Sequence, residues 1–277
     1  MTDVRDAPSP SLAQDNQPNP KGDFIWYELM TIDANAAKDF YDAVVGWNID
    51  GKGTPEYGDY RMINRSDGKF AGGVLPLTAD MQEHGAHPTW LGYIHVPDVD
   101  AATASIESAG GKTLMTRDVP NVGRIAMVTD PQGAPFYVMK PIPSANDPNG
   151  KSDVFEPNAE QRCGWNELST SDPLAARRFY GEQFGWTSDE FMPMGEHGEY
   201  RFFKQNGVTI GAVAGAMDGQ QPHWRFYFRV PSIATAKQTA EAKGGKIVVG
   251  PMEVPTGDSI VIGIDPQGAE FALVGGQ

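Results

Sequence analysis

The stretch FIWYELMTIDANAAKDFY at 24–41 decides the organisation of this chain, because nearly the same pattern returns as CGWNELSTSDPLAARRFY at 163–180. Both stretches contain W-x-E-L-x-T-x-D, followed by an alanine-rich run and then Phe-Tyr. Trp26 and Trp165 stand 139 positions apart, and so do the glutamates that follow them. A register kept over so many positions indicates an internal repeat, which sets the domain plan before any strand or helix is assigned.

The repeat continues to the end of each copy. PTWLGYIHVPD at 88–98 corresponds to PHWRFYFRVPS at 222–232, and DPQGA at 130–134 returns unchanged at 265–269. The first copy carries about five additional residues between 50 and 85. Each copy has the length of an ordinary domain. The other two segments are polar and rich in proline, so we predict a disordered tail at 1–22, domains at 23–141 and 162–277, and a linker at 142–161.

The composition indicates an acidic, soluble protein. The chain has 36 acidic and 22 basic residues and a net charge of −14. That charge disfavours nucleic acid and anionic membranes as partners, because both require a basic surface. The single cysteine, Cys163, excludes an intrachain disulfide and fits a reducing compartment. Because no apolar run reaches membrane-span length and the N-terminus lacks a signal-peptide pattern, we expect a cytoplasmic protein. We expect it to be a monomer or a homodimer.

Each copy alternates between strand and helix patterns in the order β-α-β-β-β, twice. Residues 24–30 are rich in aromatic and aliphatic side chains, which is typical of a half-buried strand. Asp33 and Asp172 stand where a helix N-cap is expected, and Gly46 and Gly185 stand where the helix should end. The sequence therefore predicts an α+β protein in which each domain consists of two βαβββ modules.

This order, together with three short motifs, resembles the vicinal-oxygen-chelate superfamily of glyoxalases, bleomycin-resistance proteins and extradiol dioxygenases. The motifs are D-x-x-x-A-x-x-F-Y at the helix start, G-W after the helix, and D-P-x-G-x-x-F near the end of each copy. The resemblance covers roughly 24–141 and 163–274 and points to the two-domain, glyoxalase-like branch. It implies that paired modules curl into a cup of mixed sheet, with the helices outside and the active site inside.

Metal-binding members of that superfamily commonly begin the first strand as H-x-x-L-x-V-x-D, with the histidine as a ligand, and end with a ligating glutamate. The three aligned ligand positions hold other residues in both copies of this chain: Trp26 and Trp165, Leu91 and Arg225, Tyr137 and Ala272. Tryptophan cannot ligate a metal. The histidines show no metal-ligand spacing: His84, His87, His95, His197 and His223. We therefore predict no cofactor, and a divalent metal only at a non-standard site.

Strand alternation indicates which side chains line the cups, because successive residues point to opposite faces. In HWRFYFRV at 223–230 the aromatic residues at even positions suit the face beneath the helices, and polar residues alternate with them. On the first strands the leucines suit the helix side, which leaves tryptophan and glutamate for the cup. We predict Glu28 and Glu167 as catalytic residues. The predicted substrate-binding residues are Trp26, Tyr93, His95, Tyr137, Trp165, Arg225, Tyr227 and Arg229.

Several of these residues also have a purely structural interpretation. Trp26 and Trp165 can serve packing alone, and Glu167 can simply pair with Arg225 across the floor of the cup. A carboxylate on an aromatic face is nevertheless costly unless it is paired or functional, so the repeated acid favours a site. Cys163 has no histidine placed to activate it, and we interpret it as a small buried hydrophobe.

Three classes of function stay open. The first is a small-molecule pocket protein that acts on a carbonyl or carboxylate compound without the usual metal, with a glutamate as general base. The second is a binding or sequestering protein, as in the drug-resistance branch, and the third is a metal-dependent lyase or dioxygenase of the glyoxalase type. The arginines on one inward strand favour an anionic ligand held by Arg225, because a guanidinium binds a carboxylate or phosphate with two hydrogen bonds.

Overall fold

The computed structural model describes residues 19–195, 198–217 and 219–277. The first half contains β1 (Phe24–Thr31), α1 (Ala34–Val45), β2 (Asn48–Ile49), a 3-10 turn (Pro55–Tyr57), β3 (Arg61–Asn64), β4 (Phe70–Pro76), α2 (Ala79–Glu83), β5 (Thr89–His95), α3 (Val99–Ser108), β6 (Lys112–Val119), β7 (Gly123–Thr129) and β8 (Pro135–Pro141). The second half contains β9 (Cys163–Thr170), α4 (Pro173–Phe184), β10 (Phe191–Pro193), β11 (Glu199–Gln205), β12 (Val208–Gly215), β13 (His223–Val230), α5 (Ile233–Ala242), β14 (Lys246–Glu253), β15 (Ser259–Ile264) and β16 (Glu270–Gly275). Within these described residues, no helix has the length and apolar character needed to cross a membrane.

Each half of the chain forms one mixed, eight-stranded sheet, and the two sheets have the same strand order. The order is β2-β3-β4-β1-β5-β8-β7-β6 in the first and β10-β11-β12-β9-β13-β16-β15-β14 in the second. The first strands of the two modules lie antiparallel at the centre, while each pairs in parallel with the last strand of its own module. The prediction of an α+β protein with two βαβββ modules in each domain is therefore confirmed.

Two elements differ from the pattern that the sequence predicts. The additional residues of the first copy form the short helix α2, whose first turn is capped by the hydroxyl of Thr78. The order β-α-β-β-β predicts a strand soon after α4, but residues 185–190 make only an isolated bridge between Thr187 and Lys204, and β10 begins at Phe191.

Helices α1 and α4 begin and end at the residues that the sequence marks. The Asp33 carboxylate accepts hydrogen bonds from two backbone N–H groups of the first turn, and that of Asp172 accepts one. These bonds satisfy N–H groups that have no partner within the helix. Gly46 and Gly185 adopt left-handed φ angles of 81° and 77° directly after the helices, where a residue with a Cβ would be strained.

The helices lie on the face of each sheet opposite the cup, and the two domains meet through these faces. Helix α1 of the first domain packs beside α5 of the second, and α4 packs beside α3. One core of aromatic and aliphatic side chains fills the space between the sheets. The ring of Phe228 lies 4.6 Å from that of Trp90 and 4.9 Å from that of Trp47, so residues of both domains bury each other.

Hydrogen bonds cross the same interface in matched pairs. The hydroxyl of Tyr41 donates to Asp265 at 2.9 Å, and that of Tyr180 donates to Asp130 at 3.2 Å. Both aspartates belong to the repeated DPQGA loops, where their other oxygen accepts backbone N–H groups of the same loop. Each loop therefore receives a buried tyrosine from the other domain.

The contact between Tyr27 and Asn166 locates an approximate two-fold axis. These residues occupy the same repeat position, and the Tyr27 hydroxyl donates to the Asn166 side chain at 2.7 Å. Contact between equivalent positions of two copies is expected next to a two-fold axis. Cys163 lies buried beside them, and burial raises the pKa of its thiol to about 12. The thiol therefore stays protonated, which fits the structural interpretation of this residue.

The segments predicted as tail and linker make specific contacts where the structure describes them. Residues 1–18 of the tail lie outside the described part of the chain. Asn19 is buried and accepts the backbone N–H of Ser152, whose hydroxyl donates to the backbone of β1. In the predicted linker, Asp153 accepts two hydrogen bonds at 2.9 Å from the buried guanidinium of Arg65. These contacts fasten both segments to the first domain.

We expect Tyr41→Phe and Tyr180→Phe each to lower the free energy of unfolding by about 1–3 kcal/mol, because each leaves a buried carboxylate oxygen without its donor. Urea denaturation followed by tryptophan fluorescence measures the change. Tyr57→Phe is the control, since its hydroxyl bonds Pro120 at the surface, and its effect should stay within about 0.5 kcal/mol. Equal, small effects in all three variants would contradict the proposed contribution of the interface hydrogen bonds.

Candidate functional site

The strand registers place most of the predicted site residues on two cup faces. We call the cup face of the sheet β1–β8 the first cup and that of β9–β16 the second cup. Side chains at paired positions of neighbouring strands share a face. The pairs are Trp26–Tyr93, Glu28–Leu91 and Tyr93–Tyr137 in the first cup, and Trp165–Tyr227 and Glu167–Arg225 in the second. In both domains an acid and aromatic side chains therefore lie together.

Glu28 lies on the floor of the first cup and is only 2% exposed. Its Oε2 accepts a hydrogen bond of 2.8 Å from the hydroxyl of Tyr93. The hydroxyl of Tyr60 lies beside the same carboxyl group and accepts a bond of 2.8 Å from Nε1 of Trp26. Oε1 of Glu28 has no hydrogen-bond partner among the residues that the structure describes. One oxygen of this carboxyl group is thus buried without a donor.

Burial raises the pKa of Glu28 to about 7, because removal from water disfavours the charged form of a carboxyl group. The hydrogen bond from Tyr93, the nearby hydroxyl of Tyr60, which makes no hydrogen bond of good geometry to Glu28, and the positive charge of Arg117 offset part of this increase. Arg117 lies on the exposed strand β6, opposite Ile125 of the first cup. A carboxyl group with this pKa exists in both protonation states near neutral pH, which suits a group that takes and returns a proton.

Apolar side chains enclose Glu28. The rings of Tyr93 and Tyr137 stack with their centroids 4.2 Å apart and their planes at 13°. Helix α2 places Met81 against the same cluster, so the additional segment of the first copy covers this cup. The other buried members of the enclosure include Met30, Leu77, Leu91, Ile125 and Met139.

Glu167 has the corresponding repeat position in the second cup but a different set of partners. The hydroxyl of Tyr200 donates to it at 2.7 Å and accepts a bond of 2.8 Å from Nε1 of Trp165. The hydroxyl of Tyr227 lies 3.3 Å from both carboxylate oxygens, and Arg225 donates at 2.5 Å. Both oxygens of Glu167 therefore have donors, one of which is charged. The Glu167 side chain is also 15% exposed, so the second cup is less closed.

The guanidinium of Arg225 already donates hydrogen bonds to two carboxylates. Besides its bond to Glu167, it donates to Glu270 at 2.7 and 3.1 Å. Burial alone would raise the pKa of Glu270, but hydrogen bonds from His223 and Arg225 outweigh it and lower the pKa to about 2. Two carboxylates and one guanidinium leave this cluster net negative when His223 is neutral. The arrangement therefore gives no support to the expected anionic ligand held by Arg225.

His95 and Arg229 stand at the ends of β5 and β13 and contact neighbouring chain segments. Nδ1 of the buried His95 lies 3.1 Å from the carbonyl oxygen of Pro20. Arg229 donates to the carbonyl oxygen of Pro157 at 2.6 Å and pairs with Asp258. These contacts give both side chains a structural role, and their role in substrate binding stays a prediction.

Sequence reasoning does not single out Tyr60, Tyr200 and Glu270, although all three lie beside the acids of the cups. The two tyrosines stand in the repeated pattern G-[DE]-Y-R, which is a signal that could identify them. Glu270 has Pro135 at its repeat position, so comparison of the copies gives no such signal. Its place near Arg225 results from the parallel pairing of β13 with β16.

The side chains in the two cups do not fit a divalent metal. Among the described residues, no three His, Cys, Asp or Glu side chains lie close enough to hold an ion, and His197 is outside that part of the chain. At the positions of the family's first ligand, the indoles of Trp26 and Trp165 donate hydrogen bonds to tyrosines and have no lone pair to offer. The first cup has one carboxylate among phenols and an indole, and in the second cup Arg225 already binds both carboxylates, Glu167 and Glu270, so neither cup offers a good donor set for such an ion.

A surface cavity of about 410 Å³ lies outside both cups, at the turn between β6 and β7 and the end of β8. Its polar lining includes Asp118, Arg124 and Lys140. Asp118 and Arg124 form an exposed ion pair with each other. We assign no chemistry to this cavity, because it lacks the buried acid and the aromatic walls of the cups.

Two tandem domains, each built from two βαβββ modules that form one curled sheet, define a class of proteins with this duplicated architecture. The chain belongs to the glyoxalase/bleomycin resistance protein/dioxygenase superfamily, whose family model matches residues 24–138 and 162–273.

Two other proteins are similar to this chain over most of its length. The "Putative glyoxylase CFP32" of Mycobacterium tuberculosis is 31% identical over 251 residues, which cover 90% of this chain and 93% of that protein. The "Anthracycline biosynthesis protein DnrV" of Streptomyces peucetius is 29% identical over 260 residues, which cover 90% of this chain and 91% of that protein.

Solved structures share the fold at low sequence identity. The Mn(II)-bound glyoxalase from Novosphingobium aromaticivorans is 16% identical with a TM-score of 0.61, and the match covers 92% of this chain and 82% of that one. Homoprotocatechuate 2,3-dioxygenase from Brevibacterium fuscum, in complex with 3,4-dihydroxyphenylacetate, is 19% identical with a TM-score of 0.60 and coverages of 92% and 81%. At such identities the likeness shows the fold alone.

The raised pKa of Glu28 predicts a pH-dependent free energy of unfolding. The folded protein keeps a proton that the unfolded chain releases near pH 4.5. The contribution of Glu28 to the free energy of unfolding is therefore fully present below pH 4.5 and is lost as the pH rises to about 7. The decline amounts to about 3 kcal/mol for a shift of this size. Glu28→Gln should abolish it in urea denaturation series across this range. The matched variant Glu167→Gln should keep the decline, and its persistence in Glu28→Gln would contradict the assignment.

Proposed function

We propose that the first domain binds a small organic carbonyl compound in its cup and that Glu28 acts on it as a general base. The observation that carries this proposal is the buried Oε1 of Glu28, which has no donor among the described residues. A buried acceptor without a partner costs on the order of 1–3 kcal/mol. A ligand that supplies the missing hydrogen recovers that cost.

The proposed reaction is an isomerisation of an α-hydroxy ketone. Glu28 removes a proton from the hydroxyl-bearing carbon next to the carbonyl group, and the electron pair of the broken C–H bond forms an enediolate. The same carboxyl group then returns that proton to the former carbonyl carbon, while the hydroxyl proton passes to the former carbonyl oxygen, so substrate and product are isomers and no oxidant is needed. Tyr93 already occupies Oε2, which leaves Oε1 for the transfer. The pKa near 7 supports both directions of this step.

The surroundings of Glu28 support this role. Trp26, Tyr93 and Tyr137 offer flat apolar surfaces against which an organic molecule can pack. Helix α2 covers the cup, and exclusion of water strengthens the electrostatic interactions inside it. The names of the relatives connect one with a glyoxylase and another with the synthesis of a small molecule, which agrees with the class of ligand but does not name it.

We assign a binding or structural role, rather than catalysis, to the second cup. Donors already engage both oxygens of Glu167, and one of these donors is the charged Arg225. Neither oxygen is therefore left free to accept a proton from a ligand. The two repeats thus have different roles in this proposal.

The catalytic proposal is tested with 2-hydroxyacetophenone, a neutral ketone with exchangeable hydrogens on the carbon next to its carbonyl group. In D₂O the parent protein should accelerate deuterium incorporation at that carbon, measured by proton NMR. Glu28→Gln should slow this exchange by about 10²- to 10⁴-fold, the usual contribution of a general base. Glu167→Gln should retain the parent rate and serves as the matched control. Undiminished exchange in Glu28→Gln would refute the role of Glu28, whereas binding without exchange in the parent would favour a non-catalytic binder.

Removal of divalent metals should leave this exchange unchanged, because the cups contain no suitable ligand set among the described residues. The measurement compares the exchange rate before and after dialysis against EDTA, together with elemental analysis of the protein. Loss of the activity on chelation, and its return with one particular ion, would contradict this expectation and favour the metal-dependent alternative.

A further inference from the structure

The first cup combines a single acid with an apolar enclosure. On its floor, the polar atoms near Glu28 belong to the hydroxyls of Tyr60 and Tyr93 and the indole N–H of Trp26. Around them lie aromatic, aliphatic and methionine side chains. Leu91, which pairs with Glu28 across the strands, is 1% exposed. A ligand in this cup therefore meets one carboxyl group, a few phenol and indole groups, and otherwise apolar surface.

Within the described chain, no cationic side chain contacts Glu28. Arg117 acts on it only through space and lies exposed on β6. A ligand carboxylate or phosphate would have to leave water and lie beside the acid without a guanidinium or ammonium to bind it. Desolvation and like-charge repulsion both oppose such a ligand.

The second cup shows what is missing from the first. There Arg225 stands at the repeat position of Leu91 and donates to the acid Glu167. With leucine in place of arginine, the first cup lacks the cation of the second cup but keeps the acid and its tyrosines. The first cup consequently keeps an acceptor that an uncharged donor can approach at far lower cost than an anionic ligand can.

We propose that the first cup selects neutral ligands with a flat apolar body and one hydroxyl group, which donates to Oε1 of Glu28, and that it rejects carboxylates of the same size. This inference rests on the proposed function, because it concerns the same cup. It concerns the other cup than the one in which the arginines of the sequence suggest an anionic ligand. Neutral α-hydroxy ketones are the simplest compounds that satisfy these conditions.

Three probes of similar size separate the effects of charge and of the hydroxyl group. 2-Hydroxyacetophenone is neutral and has the donor, 2-methoxyacetophenone is neutral and lacks it, and phenylglyoxylate carries a carboxylate. Isothermal titration calorimetry on the full chain measures binding of each. The hydroxy ketone should bind about 10- to 100-fold more tightly than the methoxy compound, which is the usual value of a hydrogen bond to a charged group. Phenylglyoxylate should bind more weakly than either.

Variants connect these preferences with Glu28. Glu28→Gln removes the negative charge, so the discrimination against phenylglyoxylate should shrink, while Glu167→Gln should keep it. Leu91→Arg supplies a cation at the position of Arg225 and should reverse the preference in favour of phenylglyoxylate. Circular dichroism checks that each variant keeps its sheet structure.

The outcomes also separate this inference from the proposed catalysis. If the parent binds phenylglyoxylate as tightly as the hydroxy ketone, or binds neither neutral probe, the ligand class is wrong, whatever the exchange rates of the variants. If Glu28→Gln keeps full deuterium exchange while the parent still prefers the neutral donor, the ligand class stands and the catalytic role falls. Equal affinities for the hydroxy and methoxy ketones would overturn the assigned hydrogen bond.

Discussion

The layer of aromatic rings buried between the two sheets is the constraint on which the rest of the structure depends. Its members come from both domains, so neither sheet can bury its helix face alone. The tyrosine hydroxyls within it extend to the DPQGA loops of the opposite domain, which fixes the angle between the sheets as well as their contact. Because the helix faces are used in this way, only the opposite faces of the sheets are left for ligands. The position of the cups therefore follows from how the domains pack.

Within this common frame, a few substitutions give the two cups different electrostatic properties. Leu91 faces Glu28 where Arg225 faces Glu167, and the pKa of Glu28 rises because burial is opposed only by neutral donors and a distant charge. The segment with α2 deepens that burial in the first domain alone. In the second domain, Tyr200 and Arg225 donate hydrogen bonds to Glu167, and Arg225 also donates to Glu270. One architecture thus contains an acid with an unpaired oxygen and an acid whose oxygens both have donors.

Much of this could be predicted from the sequence, because repeat register and strand alternation are local properties. They indicated the modules, the helix caps and the cup faces of Trp26, Glu28, Trp165 and Glu167. The partners of these acids depend on which strands become neighbours, so Tyr60 and Glu270 did not emerge. The raised pKa of Glu28 was also out of reach, since it depends on how tightly the first cup closes. The anionic ligand was inferred from Arg225 without its two carboxylate partners, and that omission explains why the structure does not support it.

The contact of Tyr27 with Asn166 at the approximate two-fold axis has a consequence for assembly. In a pair of separate subunits, association across such an axis weakens on dilution, because it obeys mass action. Here both halves belong to one chain, and each meets the other at a concentration set by the connecting segment rather than by the solution. A symmetric pair would also have to carry every substitution twice. The fused chain is free of that requirement, so one cup can change its chemistry while the other continues to support the shared core.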